Sequence, residues 1–265
     1  MSEAQIRIEK VGVRFATPGA EVVALQEIDL SIEPGEFVCL LGPSGCGKST
    51  LLNAIAGFVP PTSGAIRVQG RPVAGPGPDR GMVFQEYALF PWMTVAQNVA
   101  FGLQIKHLPR TQIDGQVAAL LAMLGLSEFA DRFPKDLSGG MRQRVAIARV
   151  LAIDSPILLM DEPFGALDAL TRRSLQDELL KLWAQLKKTV VFVTHSIEES
   201  IYLADRIVVM TYRPGTVKRD LRVGLERPRD PSTPGFNALK REIGELVTAE
   251  QQRHEQAERK ALTSD

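Results

Sequence analysis

The sequence predicts an α/β fold built on a mostly parallel sheet, and three observations predict it. Near-continuous apolar runs at 37–41, 157–160 and 190–193 read as strands buried on both faces. Helical spacing of apolar residues fills the stretches between them, at 48–58, 139–151 and 169–187. Such alternation is the pattern of crossover units, which make neighbouring strands parallel.

In chain order, 6–15 and 22–32 are β-rich and partly alternating, and read as strands. Glu33, Pro34 and Gly35 turn the chain into strand 37–41, a glycine-rich loop follows, and 48–58 is a helix. Pro60 to Gly64 form a turn, 65–68 a strand, Gly75 to Pro78 a stiff connection and 82–84 a short buried strand. From Thr94 to Leu151 the period becomes helical, with helices at 94–103, 112–124 and 139–151. Ser196 and Glu199 have the spacing of a capping box and open a helix after strand 190–193. Strands 206–210 and 216–223 close the core, and 228–234 is a loop. Leu239, Ile243, Leu246 and Val247 share one helical face, whereas 250–265 is almost wholly polar and reads as a solvated, frayed end.

The 265 residues suffice for one large domain with an appendage. Lys and Arg number 31, as do Asp and Glu, so the chain lacks the basic excess of a nucleic-acid binder. Its two cysteines, Cys39 and Cys46, stand at no metal-ligand spacing and read as reduced thiols. The start has no apolar signal-peptide region, and no apolar stretch is long enough to span a bilayer.

Gly42, Pro43, Ser44, Gly45, Cys46, Gly47, Lys48 and Ser49 fit the pattern G-x-x-x-x-G-K-S/T, between an apolar strand and a helix as that loop requires. Its glycines let successive N–H groups face phosphate oxygens, and the helix N-terminus adds positive potential. Lys48 is expected at the β- and γ-phosphates of ATP, and the Ser49 hydroxyl, next to Thr50, on Mg2+. Strand 157–160 delivers Asp161 and Glu162 at its C-terminal end, Asp161 suited to hold Mg2+ through water and Glu162 to deprotonate an attacking water. Leu137, Ser138, Gly139 and Gly140 lead into a helix and form a second anion-binding device.

The order of phosphate loop, Gln85, Leu-Ser-Gly-Gly, Asp161-Glu162, Gly165 to Asp168 and His195 resembles that of ATP-binding-cassette (ABC) ATPases, through Val223. The resemblance implies a P-loop NTPase (RecA-like) core at 1–228, with an antiparallel β subdomain at about 1–35 and 62–80 and a helical insertion at about 92–152. Residues 229–265 form a C-terminal loop and helical tail. It further implies a head-to-tail homodimer in which Ser138, Gly139 and Gly140 act in trans on ATP held by the other subunit. Gln85 then lies near Mg2+ and the catalytic water, His195 on the γ-phosphate, Asp168 at the dimer interface and Phe15 on adenine. Two positions depart from the family: Met141 replaces the usual Gln after Leu-Ser-Gly-Gly, and Ser196 the common Asp after His195.

A narrower resemblance to nitrate/sulfonate/taurine-type importer subunits lies in 75–85, in 89–95 with Asn98, and in 227–230. It implies a peripheral protein on the cytoplasmic face of the cell membrane, contacting integral permease subunits near Tyr87 to Met93 through exposed Phe90, Pro91 and Trp92. A periplasmic-type solute-binding protein completes such a system. An exporter ATPase is the nearer alternative, and a soluble ABC ATPase acting on nucleic acid or ribosomes the more distant one.

Overall fold

The computed structural model describes residues 4–17 and 20–262; the first three residues and the end of the polar tail fall outside it. In chain order the strands are β1 (Ile6–Thr17), β2 (Ala20–Ile32), β3 (Phe37–Leu41), β4 (Ser63–Val68), β5 (Arg71–Pro72), β6 (Arg80–Val83), β7 (Ile157–Asp161), β8 (Thr189–Thr194), β9 (Arg206–Met210) and β10 (Val217–Arg222). The helices are α1 (Lys48–Ala56), α2 (Val95–Ile105), α3 (Arg110–Met123), α4 (Gly139–Ala152), α5 (Ala169–Leu186), α6 (Ile197–Leu203) and α7 (Pro234–Leu262). Two compact units result: the residues through Gly77 with those from Thr189 onward, and Pro78–Lys188.

The first unit holds two sheets. An antiparallel sheet runs β2-β1-β4-β5. Its alternating strands bury one face, with Ile6, Ile8, Val11 and Val13 of β1 buried and Arg7 and Glu9 beside them half in water. The other is mixed. β3 lies parallel between β8 and β9, and β10 returns antiparallel on β9. Every residue of β3, β8 and β9 is buried, which is why these segments read as continuous apolar runs.

In the second unit β6 and β7 pair in parallel, and α2, α3 and α4 pack together beside them. Thr94 closes a reciprocal capping box with Gln97 at the start of α2, satisfying N–H groups that the first turn leaves open. Gly81 on β6 meets α4 so closely that a Cβ there would fall 2.2 Å from Val150.

The polar tail departs from the sequence expectation. Residues 250–262 continue α7. The buried stripe of Phe236, Ile243 and Val247 extends to the carboxylate of Glu250, only 1% exposed. Glu250 accepts from Lys218 Nζ at 2.7 Å and from the Tyr212 N–H at 3.0 Å. A buried charge with such partners holds a helix face that apolar periodicity alone does not reveal.

Arg227 and Arg229 also acquire a structural reason. Arg229, 4% exposed, donates to the carbonyls of Ile201, Tyr202 and Ala204 at the end of α6, and to that of Leu225. Burial, with the neighbouring Arg227 charge, pushes its guanidinium down to about 10, leaving it a cation at neutral pH. Arg227 binds the Asp205 carboxylate and the Leu203 carbonyl.

Candidate functional site

The phosphate loop starts where β3 ends. A Cβ on Gly42 would lie 3.0 Å from Met210 O and 2.9 Å from Cys46 Sγ, so only glycine fits there without crowding both. Gly45 (φ 76) and Gly47 (φ 99) adopt the left-handed backbone that glycine accepts without steric cost. Gly47 is the N-cap of α1, and no side chain caps that helix, so its N-terminal amides remain directed at the loop. Lys48 is buried, and its ammonium bridges the carbonyls of Gly42 (2.9 Å) and Pro43 (3.0 Å) across the loop. Ser44, Gly45 and Ser49 are exposed along it, and Cys46 is buried within it. Burial holds the Cys46 thiol up despite the Lys48 charge, so it stays protonated.

Strand register brings His195 to the same end of the sheet. Leu41 pairs with Thr194, so Gly42 and the exposed His195 follow directly on neighbouring parallel strands, where such sheets bind ligands. Ser196 caps α6, its Oγ accepting from the Glu199 N–H at 3.2 Å, so this departure from the family pattern keeps the cap. The reverse arm of the expected capping box is redirected. The Ser196 N–H donates to Thr194 Oγ1, and that hydroxyl donates to the buried Glu199 carboxylate. Phe15 pairs with Val22 across the β1–β2 hairpin and is 40% exposed, a ring facing solvent rather than packed in the core.

The second unit repeats this geometry with carboxylates. Val83 pairs with Met160, so Gln85, two residues past β6, and the pair Asp161 and Glu162, the last residue of β7 and the one after it, emerge at the same ends of the two strands. A Cβ placed on Gly165 would lie 3.7 Å from Glu162 Oε2 and 3.8 Å from Gln85 Nε2, which puts the two side chains around one point. Glu162 has a positive φ of 41, a strained backbone of the kind functional sites retain. Tyr87 (φ 60) and Ala88 (φ 48) are strained in the same way, just after Gln85.

Ser138 is the exposed N-cap of α4, its Oγ accepting from the Met141 N–H at 3.3 Å. That bond uses Met141's backbone, so the unusual side chain leaves the cap intact. Gly140 admits no Cβ, which would sit 2.7 Å from Thr171. Asp168 is the N-cap of α5, and the Thr171 N–H bond holds its carboxyl below the usual carboxylate range.

The segment expected to meet a membrane partner is only partly exposed. Trp92 is 69% exposed and Pro91 is exposed, but Phe90 is half-buried, 4.6 Å from Phe101 between ring centres and with the Arg149 guanidinium 5.3 Å from its own. This corrects the expectation of an exposed Phe90. Asn98, fully buried, holds the loop: its Oδ1 accepts from the Phe90 N–H and its Nδ2 donates to the carbonyls of Phe90, Met93 and Thr94. The polar Asn98 amid apolar α2 positions was the sequence signal for this role. No comparable signal marks Arg213, whose Nε donates to Gly45 O at 3.0 Å from 168 residues away.

A glycine cradle at an uncapped helix start, closed by a buried ammonium, fits a polyphosphate. Among the described residues no group of three or more His, Cys, Asp or Glu could hold a metal alone. Comparison with known proteins decides the family: residues 25–165 match the family model described as ABC transporter. The chain belongs to the ABC transporter ATPases.

This ABC ATPase is 49% identical to an uncharacterized ABC transporter ATP-binding protein of Methanocaldococcus jannaschii, over 93% of the chain and 92% of that protein. It is 50% identical to the nitrate import ATP-binding protein NrtD of Synechocystis sp., over 83% and 82%. With the taurine import ATP-binding protein TauB of Roseobacter denitrificans it shares 49%, over 82% of each. A solved dimeric ATP-binding cassette in a post-hydrolysis state, bound to ADP and Pi, superposes with a TM-score of 0.74 at 34% identity, covering 83% of this chain and all of the other. The ABC ATPase thus has the P-loop NTPase fold, binds ATP with Mg2+ and hydrolyses it. No helix among its described residues is long and apolar enough to cross a membrane.

Proposed function

We propose that this ABC ATPase energises an importer of nitrate, taurine, a sulfonate or a related small solute. The observation that carries this reading is the identity of about half, over more than four-fifths of the chain, with nitrate and taurine import ATP-binding proteins. Two copies work as a head-to-tail homodimer on the cytoplasmic face of the cell membrane, attached through permease subunits and served by a periplasmic-type solute-binding protein.

In this reading residues 42–50 hold the phosphates of ATP, with Lys48 on the β- and γ-phosphates. Ser49, Asp161 and Gln85 hold Mg2+, which offsets phosphate charge when bound. Glu162 takes the proton of the attacking water, Gln85 and His195 orient water and γ-phosphate, and Phe15 offers its ring to adenine. The partner's Ser138, Gly139 and Gly140 close over the γ-phosphate, and Asp168 stands at the dimer interface.

The exposed Trp92 is the permease anchor, on a loop reached from Gln85 within a few residues. Buried aromatic anchors contribute about 2 kcal/mol or more to an interface. The test is Trp92→Ala in cells carrying the whole transporter. Its melting temperature stays at the wild-type value, while copurification with the permease and uptake of labelled nitrate or taurine fall at least about tenfold. Intact assembly and uptake place the membrane contact elsewhere.

A further inference from the structure

The turn between β9 and β10 touches the phosphate loop on one side and α7 on the other. Arg213 Nε donates to the Gly45 carbonyl at 3.0 Å, and a Cβ on Gly45 would lie 3.6 Å from a terminal nitrogen of the same guanidinium. Two residues on, Gly215 comes so close that a Cβ would fall 2.2 Å from the Cys46 carbonyl oxygen. Its N–H donates to Ala24 O (2.9 Å) and its carbonyl accepts from the Gln26 N–H (3.0 Å), which fastens the turn to β2. On the far side the Tyr212 N–H donates to Glu250 Oε2, and the Tyr212 ring stacks on His254 with centroids 3.9 Å apart and planes 18° from parallel. Lys218 on β10 ties the same carboxylate and the Leu246 carbonyl.

A planar trans peptide points its C=O and its N–H in opposite directions. Holding the Gly45 carbonyl on Arg213 therefore points the Cys46 N–H the opposite way, where it donates to Pro43 O at 3.3 Å and closes the Pro43–Cys46 turn. That closed turn sets the path of the loop into Gly47 and the start of α1, whose amides such a loop offers to phosphate. A cation on the Gly45 oxygen also polarises that peptide and strengthens its N–H as a donor.

We propose that Arg213 is a positioning residue for ATP binding, fixing the Gly45–Cys46 peptide in the turn that shapes the phosphate loop, and that α7 sets the Arg213 turn through Tyr212. The inference rests on reading 42–50 as the phosphate site. It gives α7 a role in nucleotide affinity as well as in folding, because one four-residue turn joins the helix to the loop.

The test uses the full-length protein and Mg·ATP, with affinity from calorimetry, steady-state kinetics and melting temperature for each variant. Arg213→Ala weakens ATP binding and raises KM about tenfold, with kcat within about twofold of wild type and melting unchanged, the pattern of lost ground-state binding. Arg213→Lys, which restores charge but not the fork, recovers part of the loss. His254→Ala weakens binding about threefold alone and adds nothing to Arg213→Ala, because both act through one turn. Wild-type affinity in Arg213→Ala beside lost binding in Lys48→Ala overturns the positioning role and leaves the phosphate site standing. Normal binding by Lys48→Ala overturns the phosphate site itself. A fall in kcat at unchanged KM overturns positioning, and additive Arg213 and His254 effects overturn the link to α7. Should His254→Ala lower the melting temperature, His254→Gln, which keeps a polar side chain but removes the ring stacked on Tyr212, serves in its place.

Discussion

In the proposed mechanism Glu162 and Gln85 carry the most chemical consequence of single residues in this molecule. Each follows a buried strand by one or two positions, so the backbone of β6 and β7 fixes where they emerge, and Gly165 leaves the space between them open. A carboxylate held beside an amide can orient a water with one group while accepting its proton with the other. Glu162→Gln is expected to bind Mg·ATP with wild-type affinity and to hydrolyse it at least about 100-fold more slowly, roughly 2.7 kcal/mol of barrier. Steady-state phosphate release, set against calorimetric binding, measures both; full turnover by the variant moves the base elsewhere. The acidic pair was legible in the sequence because an apolar strand runs straight into it, whereas a role for Gln85 came only by resemblance. Asp168 was legible as an interface residue only by resemblance, whereas its bond to the Thr171 N–H is a local cap that its spacing also permits.

At the scale of elements, β3, β7, β8, β9 and α4 declared themselves because complete burial leaves an unbroken apolar run or a clear helical period. The end of α7 did not, because its anchoring residue is a carboxylate. Periodicity counts Glu250 as solvent-facing, whereas Lys218 and the Tyr212 amide, more than thirty residues earlier in the chain, and Arg253 one turn on make it a core position. Burial alone would raise the Glu250 carboxyl, but the bonds from Lys218 and Tyr212, with the Lys218 and Arg253 charges, take it below its usual value. A carboxyl whose folded value is depressed binds its proton less readily in the folded state than in the unfolded one. Its stabilisation is therefore complete above the ordinary carboxylate range and is lost as pH falls through the lowered value. Glu250→Gln is expected to cost about 2 kcal/mol at neutral pH. Its melting temperature, followed from neutral to acid pH, converges on that of the wild type. A constant gap across that range shows that the carboxylate charge is not what holds α7.

For the whole molecule, the decisive feature is that one chain carries each device once: one glycine loop with its lysine on the first unit, and one Ser138-Gly139-Gly140 helix start on the second. A single γ-phosphate needs few of these donors, and in the proposed head-to-tail dimer each chain lends its Ser138 helix start to the nucleotide of the other. Two solved structures similar to this chain are dimers, which supports two chains in the proposed assembly. The start of α4 suits the proposed loan, since Ser138 is exposed, Gly140 is barred from carrying a side chain by Thr171, and the helix dipole is positive at that end. ATP then joins the chains because it binds both, and hydrolysis parts them because it removes the phosphate that both hold. Glu162→Gln keeps both sets of donors and halts the step that releases them, so Mg·ATP should double its mass in light scattering while Mg·ADP leaves it monomeric. Ser138→Arg in the same background, which puts bulk and charge where the γ-phosphate would lie, should return the ATP-bound protein to a monomer. A Glu162→Gln protein that stays monomeric with saturating ATP, despite measured binding, refutes the shared site.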